Sequence, residues 1–157
     1  MHTTPTYRCY LGAIGWDHTA WTGVFYPEDL PPEWRLSYYN TSFECVYLPY
    51  ALWSKTPLET LAAWREETLE RFRFLIEPPA AASSADKERI AALGEKALVA
   101  TPHAGPAIIW LDPGADLKQL AQTLQAQIAQ PPLYLVSVSG DYAQLDQART
   151  LLDVLGY

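Results

Sequence analysis

The feature that most constrains this chain is a regular alternation of short apolar runs with segments of helical periodicity. The strand-like runs are YRCYLGAIG, FECVYLPY, RFRFLIE, AIIWL and PLYLVSVSG, and a further extended piece at 98–101 precedes the fourth of them. Strands that are apolar on both faces and are separated by helices are typical of a parallel sheet covered by helices. The alternation repeats about five times and predicts an α/β domain of parallel βα units.

Polar residues predict where several helices begin. Thr56 is predicted as an N-cap, with Pro57 at the first helical position and Glu59 closing a capping box. A helix is predicted to start within 83–87, and Asp116 and Asp141 are predicted to open the next two. Apolar stripes at helical spacing support three of these helices: Leu58, Leu61, Ala62 and Leu69; Leu117, Leu120, Ala121, Leu124 and Ile128; and Leu145, Ala148, Leu152 and Leu155.

The length of the chain limits how many such units it can contain. With 157 residues it is predicted to form a single domain over 1–157, large enough to bury a core. A closed eight-stranded βα barrel takes about 250 residues. The chain is therefore predicted to be an incomplete barrel, an open sheet, or a half that associates with a partner.

Charge and cysteine usage exclude several classes of protein. A net charge of −7 argues against nucleic-acid binding, which requires a basic face. No apolar run is long enough to span a bilayer, and the first ten residues do not resemble a signal peptide. Cys9 and Cys45 lie in apolar runs and are predicted to be buried reduced thiols. Together these features predict a soluble cytoplasmic protein with no membrane or nucleic-acid partner.

No motif in the chain predicts a metal or a cofactor. The three histidines and two cysteines lack metal-ligand spacing, and neither a P-loop nor a dinucleotide fingerprint is present. In SVSGDYAQL, the hydroxyls of Ser137 and Ser139 and the amides near Gly140 could receive an anion. An ordinary strand-to-helix turn capped by Asp141 is the favoured interpretation. We predict no metal site and no cofactor.

The segment GWDHTAWTGVFYPEDLPPEW contains the candidate catalytic residues. Asp17 and His18 follow the first predicted strand, where βα barrels carry their functional groups. An imidazole with a nearby carboxylate can act as a general acid or base near neutral pH. The alternative is a polar loop in which Asp17 caps a turn and His18 is solvated, because neighbours in sequence need not face each other.

Large aromatic residues are the second candidate feature, since aromatics form 13% of the chain and concentrate in its first half. Their rings could stack on a planar or sugar-like ligand, or they could fill the core or a subunit contact, which is the favoured alternative. The predicted ligand-binding set is Trp16, Trp21, Tyr26, Tyr47 and Trp53.

The same segment resembles the YecE-like family, also called domain of unknown function 72. That family shows a glycine-tryptophan turn, a tryptophan, a glycine and phenylalanine-tyrosine-proline, followed by leucine, prolines, a tryptophan and a tyrosine pair. The resemblance continues more weakly through Trp64 and the strand 71–76. It implies a TIM-barrel-like fold with any site at the carboxyl ends of the strands, and it implies no particular activity. The matching residues are Gly15, Trp16, Trp21, Gly23, Phe25, Tyr26, Pro27, Leu30, Pro31, Trp34, Tyr38, Tyr39 and Phe43.

This chain departs from the family pattern at polar positions. Ala13 and Ile14 replace the threonine and serine that usually precede the glycine-tryptophan turn. On the second strand, where members typically show valine-glutamate-isoleucine-asparagine, this chain has VYLP at 46–49. The carboxylate and the amide that could bind a ligand or transfer a proton are both absent there.

Two hypotheses about function follow. The first is a shortened, divergent family member that is non-catalytic or binds a small ligand, and that covers its open barrel edge by homo-oligomerisation. The second is a small cofactor-free, hydrolase-like enzyme that uses Asp17 and His18 at the strand-end mouth.

Overall fold

The computed structural model describes residues 9–127 and 132–157. Strands and helices alternate along the chain with few exceptions. Short 3-10 turns lie at Thr19–Trp21, Pro32–Trp34 and Gly94–Lys96. Two parts of the sequence predictions lie outside the described residues. They are residues 7 and 8 of the first predicted strand, and Ile128 of the predicted stripe that begins at Leu117. The elements are β1 (Cys9–Ala13), α1 (Arg35–Tyr39), β2 (Cys45–Leu48), α2 (Tyr50–Trp53), α3 (Leu58–Glu67), β3 (Arg73–Ile76), α4 (Ser84–Leu93), β4 (Ala97–Val99), β5 (Ala107–Leu111), α5 (Leu117–Gln127), β6 (Leu133–Ser137) and α6 (Tyr142–Leu155).

All described strand pairs are parallel, which confirms the predicted α/β class. One sheet has the order β1-β6-β5 and the other the order β2-β3-β4. The two sheets meet where β1 lies beside β2: the Glu44 amide donates to the Leu11 carbonyl at 3.1 Å, and the Gly15 amide donates to the Tyr47 carbonyl at 2.9 Å. β4 corresponds to the extended piece predicted at 98–101, and a loop, not a helix, connects it to β5. The two sheets do not close into one.

A buried phenol and a glycine explain how β1 and β2 approach each other. A Cβ atom on Gly12 would lie 1.9 Å from the Cys45 carbonyl oxygen, so only glycine fits there. The hydroxyl of Tyr39, which is fully buried, donates to the same carbonyl at 2.7 Å and accepts from the Ala13 amide at 2.9 Å. Both backbone groups are thereby satisfied where ladder pairing is incomplete.

The predicted helix starts were correct at three positions and wrong at one. Ser83 caps α4 with a complete capping box, and Asp116 and Asp141 accept from the first-turn amides of α5 and α6. The Thr56 capping box is wrong, because the Thr56 hydroxyl donates back to the Leu52 carbonyl at 2.8 Å and Pro57 precedes α3. The Thr56 hydroxyl therefore bonds to the end of α2 and does not cap α3.

The helices bury their stripes unequally. Leu120 and Leu124 of α5 and Leu145, Ala148 and Leu152 of α6 are buried, as the sequence predicts. In α3 the predicted stripe is wrong: Leu61 alone of that stripe is buried, while Leu58 is 43% exposed and Leu69, beyond the end of the helix, is 49% exposed. Leu58 is the first residue of α3 and Leu69 follows its last turn, so neither lies on the buried part of the helix.

Cys9 and Cys45 are buried free thiols, as predicted. Burial raises the pKa of Cys9 to about 11 and that of Cys45 well above its usual value. Both thiols are therefore protonated at neutral pH and are poor nucleophiles.

In the described part of the chain, no helix combines the length and the apolar character that crossing a bilayer requires.

Candidate functional site

A cavity of about 760 Å³ lies beside the carboxyl end of β1. The segment after β1 and the turn before α1 form one wall, α3 forms the opposite wall, and Leu52 of α2 lies at the edge. The lining residues are Ile14, Gly15, Trp16, Asp17, His18, Pro32, Glu33, Leu36, Leu52, Glu59, Thr60, Ala63, Trp64 and Glu67. Because functional groups of parallel βα proteins gather at the carboxyl ends of strands, this cavity is the candidate site.

A glycine turn brings the candidate residues to the cavity. Gly15 has a φ of 69°, a conformation that favours glycine, and it directs the chain away from β1. Trp16, Asp17 and His18 follow at once, and all three line the cavity. The sequence prediction that these three residues lie at the end of the first strand is therefore confirmed.

Asp17 forms an ion pair with Arg35 at the start of α1. The carboxylate is largely exposed, whereas most of the Arg35 side chain is covered, with its guanidinium 5.5 Å from the centroid of the Tyr26 ring. No hydrogen bond between Asp17 and His18 is present among the described residues. Asp17, which the catalytic hypothesis pairs with the imidazole of His18, is thus paired with Arg35 instead.

The imidazole of His18 is engaged by the backbone and by a neighbouring ring. Its Nε2 lies 2.9 Å from the Ile14 carbonyl oxygen and 3.2 Å from that of Gly15, so Nε2 carries a proton and donates. Its ring stacks on Trp21 with centroids 4.3 Å apart. A Cβ on Gly140 would lie 2.7 Å from the His18 ring, so the turn after β6 also packs closely against it.

The aromatic residues predicted to bind a ligand are not brought together. Trp16 lines the cavity, with its ring edge-to-face against Trp64 at 4.7 Å. Trp21 and Tyr26 are 1% exposed; the Trp21 indole donates to the Gly140 carbonyl at 2.7 Å, and the Tyr26 hydroxyl donates to the Trp16 carbonyl. These two rings pack in the core beneath the cavity and present no surface to it.

Tyr47 and Trp53 lie away from the cavity. Tyr47 is half-buried between the sheets, edge-to-face with Trp110 of β5 at 5.0 Å, and burial raises the pKa of its phenol. Trp53 is 1% exposed, and its indole donates to the Glu77 carbonyl at 3.1 Å. Of the predicted set, Trp16 is the member that reaches the candidate site.

Sequence reasoning missed the contribution of α3 to the site. Thr60, Ala63, Trp64 and Glu67 recur at spacings of three and four, so they share one helix face, and that face lines the cavity. The sequence carried a weak signal, because the helix face with Ala63 and Trp64 also carries Thr60 and Glu67. Unlike the indoles of Trp21 and Trp53, those of Trp16 and Trp64 donate to no acceptor in the described ranges.

In the turn after β6, serine hydroxyls accept hydrogen bonds from the backbone amides. The Gly140 amide donates to the Ser137 hydroxyl at 3.1 Å, and the Asp141 amide donates to the Ser139 hydroxyl at 3.2 Å. The amides considered for an anion are therefore already bonded, and the turn serves as the cap of α6.

Within 9–127 and 132–157, no group of three or more His, Cys, Asp or Glu residues is arranged to bind a metal ion.

The parallel sheets and their helices define an α/β protein, and the cavity lies at the carboxyl end of the first strand. The family model described as "Protein of unknown function DUF72" matches residues 10–150. The chain therefore belongs to the DUF72 family, as the sequence resemblance predicted. No curated protein matches it significantly.

Two solved structures of the family are similar to this chain. A DUF72 family protein from Thermotoga maritima aligns with a TM-score of 0.63 at 11% identity, over 94% of this chain and 100% of that chain. A DUF72 family protein from Enterococcus faecalis aligns with a TM-score of 0.42 at 17% identity, over 83% of this chain and 50% of that chain. The first similarity supports the α/β fold.

Proposed function

We propose that this protein is a non-catalytic DUF72 member that binds a small organic ligand in the cavity between the β1–α1 segment and α3. The observation that carries the proposal is the composition of that cavity. Its apolar surface includes Trp16 and Trp64, whose indole N–H groups lack acceptors in the described ranges, and polar side chains surround it. Concave, largely apolar sites with a few polar groups are typical of ligand pockets.

Binding is tested with three aromatic probes of matched size: 2-phenylethylammonium, 2-phenylethanol and 3-phenylpropionate. We expect at least one to shift the indole N–H resonances of Trp16 and Trp64 in a saturable way. Ala63→Phe should abolish the shifts, because Ala63 lines the cavity and a phenyl ring would fill it. Ala62→Phe, a change at an exposed neighbour outside the lining, is the control. If no probe gives saturable shifts, the proposal is wrong.

The alternative is a cofactor-free hydrolase that uses Asp17 and His18. Both side chains line the cavity, which favours this alternative, but their partners are Arg35 and backbone carbonyls. A general base needs a free lone pair within reach of a substrate proton, and Nδ1 of His18 would have to supply it. An esterase or amidase activity that survives both Asp17→Asn and His18→Asn would eliminate this alternative.

We further propose that the two sheets form a shortened TIM-barrel-like arrangement that is open between β4 and β5. β6 pairs with β1, β1 lies beside β2, and the Tyr47 and Trp110 rings meet across the interior, all of which support curvature. The edges of β4 and β5 remain, and Trp110 on β5 is 43% exposed. Uncharged edges of this kind are commonly covered by another chain, so a homodimer is proposed.

Association is measured by light scattering at micromolar concentration. We expect a dimer for the natural sequence and a monomer for Trp110→Lys, because a charge on the edge strand opposes pairing. Val154→Lys, a change at an exposed apolar residue of α6, should leave the dimer intact. A monomer for the natural sequence contradicts the homodimer.

A further inference from the structure

We infer that the cavity beside β1 is selective for an organic cation that carries an apolar segment. This inference rests on the proposed function, because it specifies the ligand class of the same cavity. It depends on where the carboxylates lie, which of them are neutralised, and what separates them.

Carboxylates line both walls of the cavity. Asp17 and Glu33 belong to the wall formed after β1 and before α1, and Glu59 and Glu67 belong to α3 on the opposite wall. No lysine or arginine is among the lining residues. A cleft with one sign of charge raises the local concentration of ligands of the opposite charge.

Most of this negative charge is not neutralised by the protein. Asp17 is paired with Arg35, whereas Glu33, Glu59 and Glu67 have no ion-pair partner within the described ranges. The imidazole of His18 donates to backbone carbonyls, so its Nε2–H is not available to these carboxylates. A cation in the cavity would therefore lie in the field of unpaired carboxylates on both walls.

The spacing of the carboxylates favours an organic cation over a metal ion. The described residues offer no group of three or more metal-ligating side chains, so the two walls do not converge on one ion. The space between them is lined by apolar side chains, among them Leu36, Trp16 and Trp64. An ammonium group on an apolar stem satisfies both features, because aromatic rings attract cations and also bury the stem.

Glu67 gives independent support, because its position does not favour the helix. It lies in the last turn of α3, where the helix dipole is negative and a carboxylate is electrostatically unfavourable. Arg65, in the same turn, is paired with Glu95 of the 3-10 turn that follows α4, and not with Glu67. Glu67 therefore stays an unpaired carboxylate on the cavity wall, although the Lys96 ammonium lies at the same helix end.

The experiment compares the three matched probes by titration of the Trp16 and Trp64 indole resonances at low ionic strength. We expect 2-phenylethylammonium to bind about tenfold more tightly than 2-phenylethanol, and 3-phenylpropionate to bind most weakly. The double variant Glu59→Gln, Glu67→Gln should remove most of that preference. Both residues are exposed, so the variant is expected to fold. The double variant Glu66→Gln, Glu70→Gln, a change of equal charge at exposed residues outside the lining, should retain it.

The outcomes separate this inference from the proposed function. Equal binding of the cationic and neutral probes, blocked by Ala63→Phe, would overturn the charge selectivity and leave ligand binding standing. Tighter binding of 3-phenylpropionate would overturn it as well. Absence of saturable binding by all three probes would overturn both.

Discussion

At the scale of single residues, His18 connects segments that are far apart in the sequence. Its ring lies between Trp21 and the turn at Gly140, while Nε2 donates to the Ile14 carbonyl at the end of β1. Trp21 in turn donates to Gly140. The imidazole therefore joins the first strand to the turn after the last one, a structural role that the candidate catalytic assignment does not include.

This contact predicts that His18 stabilises the fold. His18→Asn should lower the free energy of unfolding by about 1–3 kcal/mol, because it removes a hydrogen bond to a strand-end carbonyl and an aromatic contact. Urea denaturation followed by circular dichroism measures the change. His103→Asn is the control, since His103 is exposed and asparagine tolerates its positive φ of 67°. Equal stability of the two variants would contradict the structural role.

At the scale of elements, the start of α4 shows how a local signal produces a reliable helix. The Ser83 hydroxyl accepts from the Asp86 amide at 3.1 Å, and the Asp86 carboxylate accepts from the Ser83 amide at 3.2 Å. Asp86 is buried, and it also accepts from the Tyr50 hydroxyl, so the cap is connected to α2. Both first-turn donors are satisfied within three residues, which is why the sequence alone indicates the start.

The capping box predicts the effect of removing one hydroxyl. Ser83→Ala should lower the free energy of unfolding by about 1 kcal/mol. Ser84→Ala, one residue further along, should leave it nearly unchanged, because Ser84 is exposed and outside the cap. Thermal unfolding of the three proteins measures the difference, and a larger loss for Ser84→Ala would refute the assignment of the cap.

The end of α3 is completed by a side chain from another element. The Lys96 ammonium, which is buried, donates to the Arg65 carbonyl at 2.7 Å, to the Thr68 carbonyl at 2.8 Å and to the Thr68 hydroxyl at 3.1 Å. Carbonyls at a helix C-terminus lack intrahelical donors, and a cation there interacts favourably with the helix dipole. Lys96 therefore attaches α3 to the segment that leads into β4.

Loss of this ammonium should remove the side-chain donor to the Thr68 carbonyl and leave the Arg65 carbonyl with the Thr68 hydroxyl as its remaining side-chain donor. We expect Lys96→Met to lower the free energy of unfolding by about 1–3 kcal/mol, since buried acceptors without partners are costly. Hydrogen exchange should also become faster at the last turn of α3 than at α6. Lys87→Met, at an exposed lysine of α4, is the control. Unchanged exchange in α3 would show that Lys96 does not cap it.

At the scale of the whole molecule, features were predicted correctly when they depended on residues close together in the sequence, and missed when they depended on residues far apart. Strands and most helix starts were predicted correctly, because apolar runs and caps are signals between near neighbours. Thr56 was assigned wrongly because its hydroxyl bonds backwards to Leu52, a local alternative that competes with the cap. Trp21 is buried, in agreement with the favoured alternative of core packing, but its hydrogen-bond partner Gly140 could not be predicted, since it is 119 residues away.

The candidate site was predicted in part for the same reason. Trp16, Asp17 and His18 were placed correctly because they follow a strand directly. The opposite wall required knowing that α3 packs across from the segment after β1, a contact between segments distant in the sequence. Trp64 and Glu67 could then have been identified only from the mixture of polar and apolar residues on that helix face.

Buried phenols determine how the stability of the molecule responds to high pH. Burial raises the pKa of Tyr39 well above its usual value, raises that of Tyr26 as well, and raises that of Tyr134 to about 12. A phenol whose pKa is higher in the folded state stabilises the fold below the unfolded pKa of about 10. That contribution is lost as the pH rises further, because the unfolded chain ionises first. Lys96 acts in the opposite direction, since desolvation lowers its pKa.

We therefore expect stability to fall as the pH rises above about 8.5, where the buried thiols of Cys9 and Cys45 begin to contribute, and more steeply above about 10, with each buried phenol adding a slope of about 1.4 kcal/mol per pH unit. Three phenols outweigh the single opposing lysine. Urea denaturation at pH 8 to 11, with tyrosinate absorbance recorded in parallel, measures both the slope and its cause. Tyr134→Phe should change stability little at pH 8, because its hydroxyl has no hydrogen bond within the described ranges, and should reduce the slope at high pH. Stability that is independent of pH over this range would mean that water reaches these phenols in the folded protein.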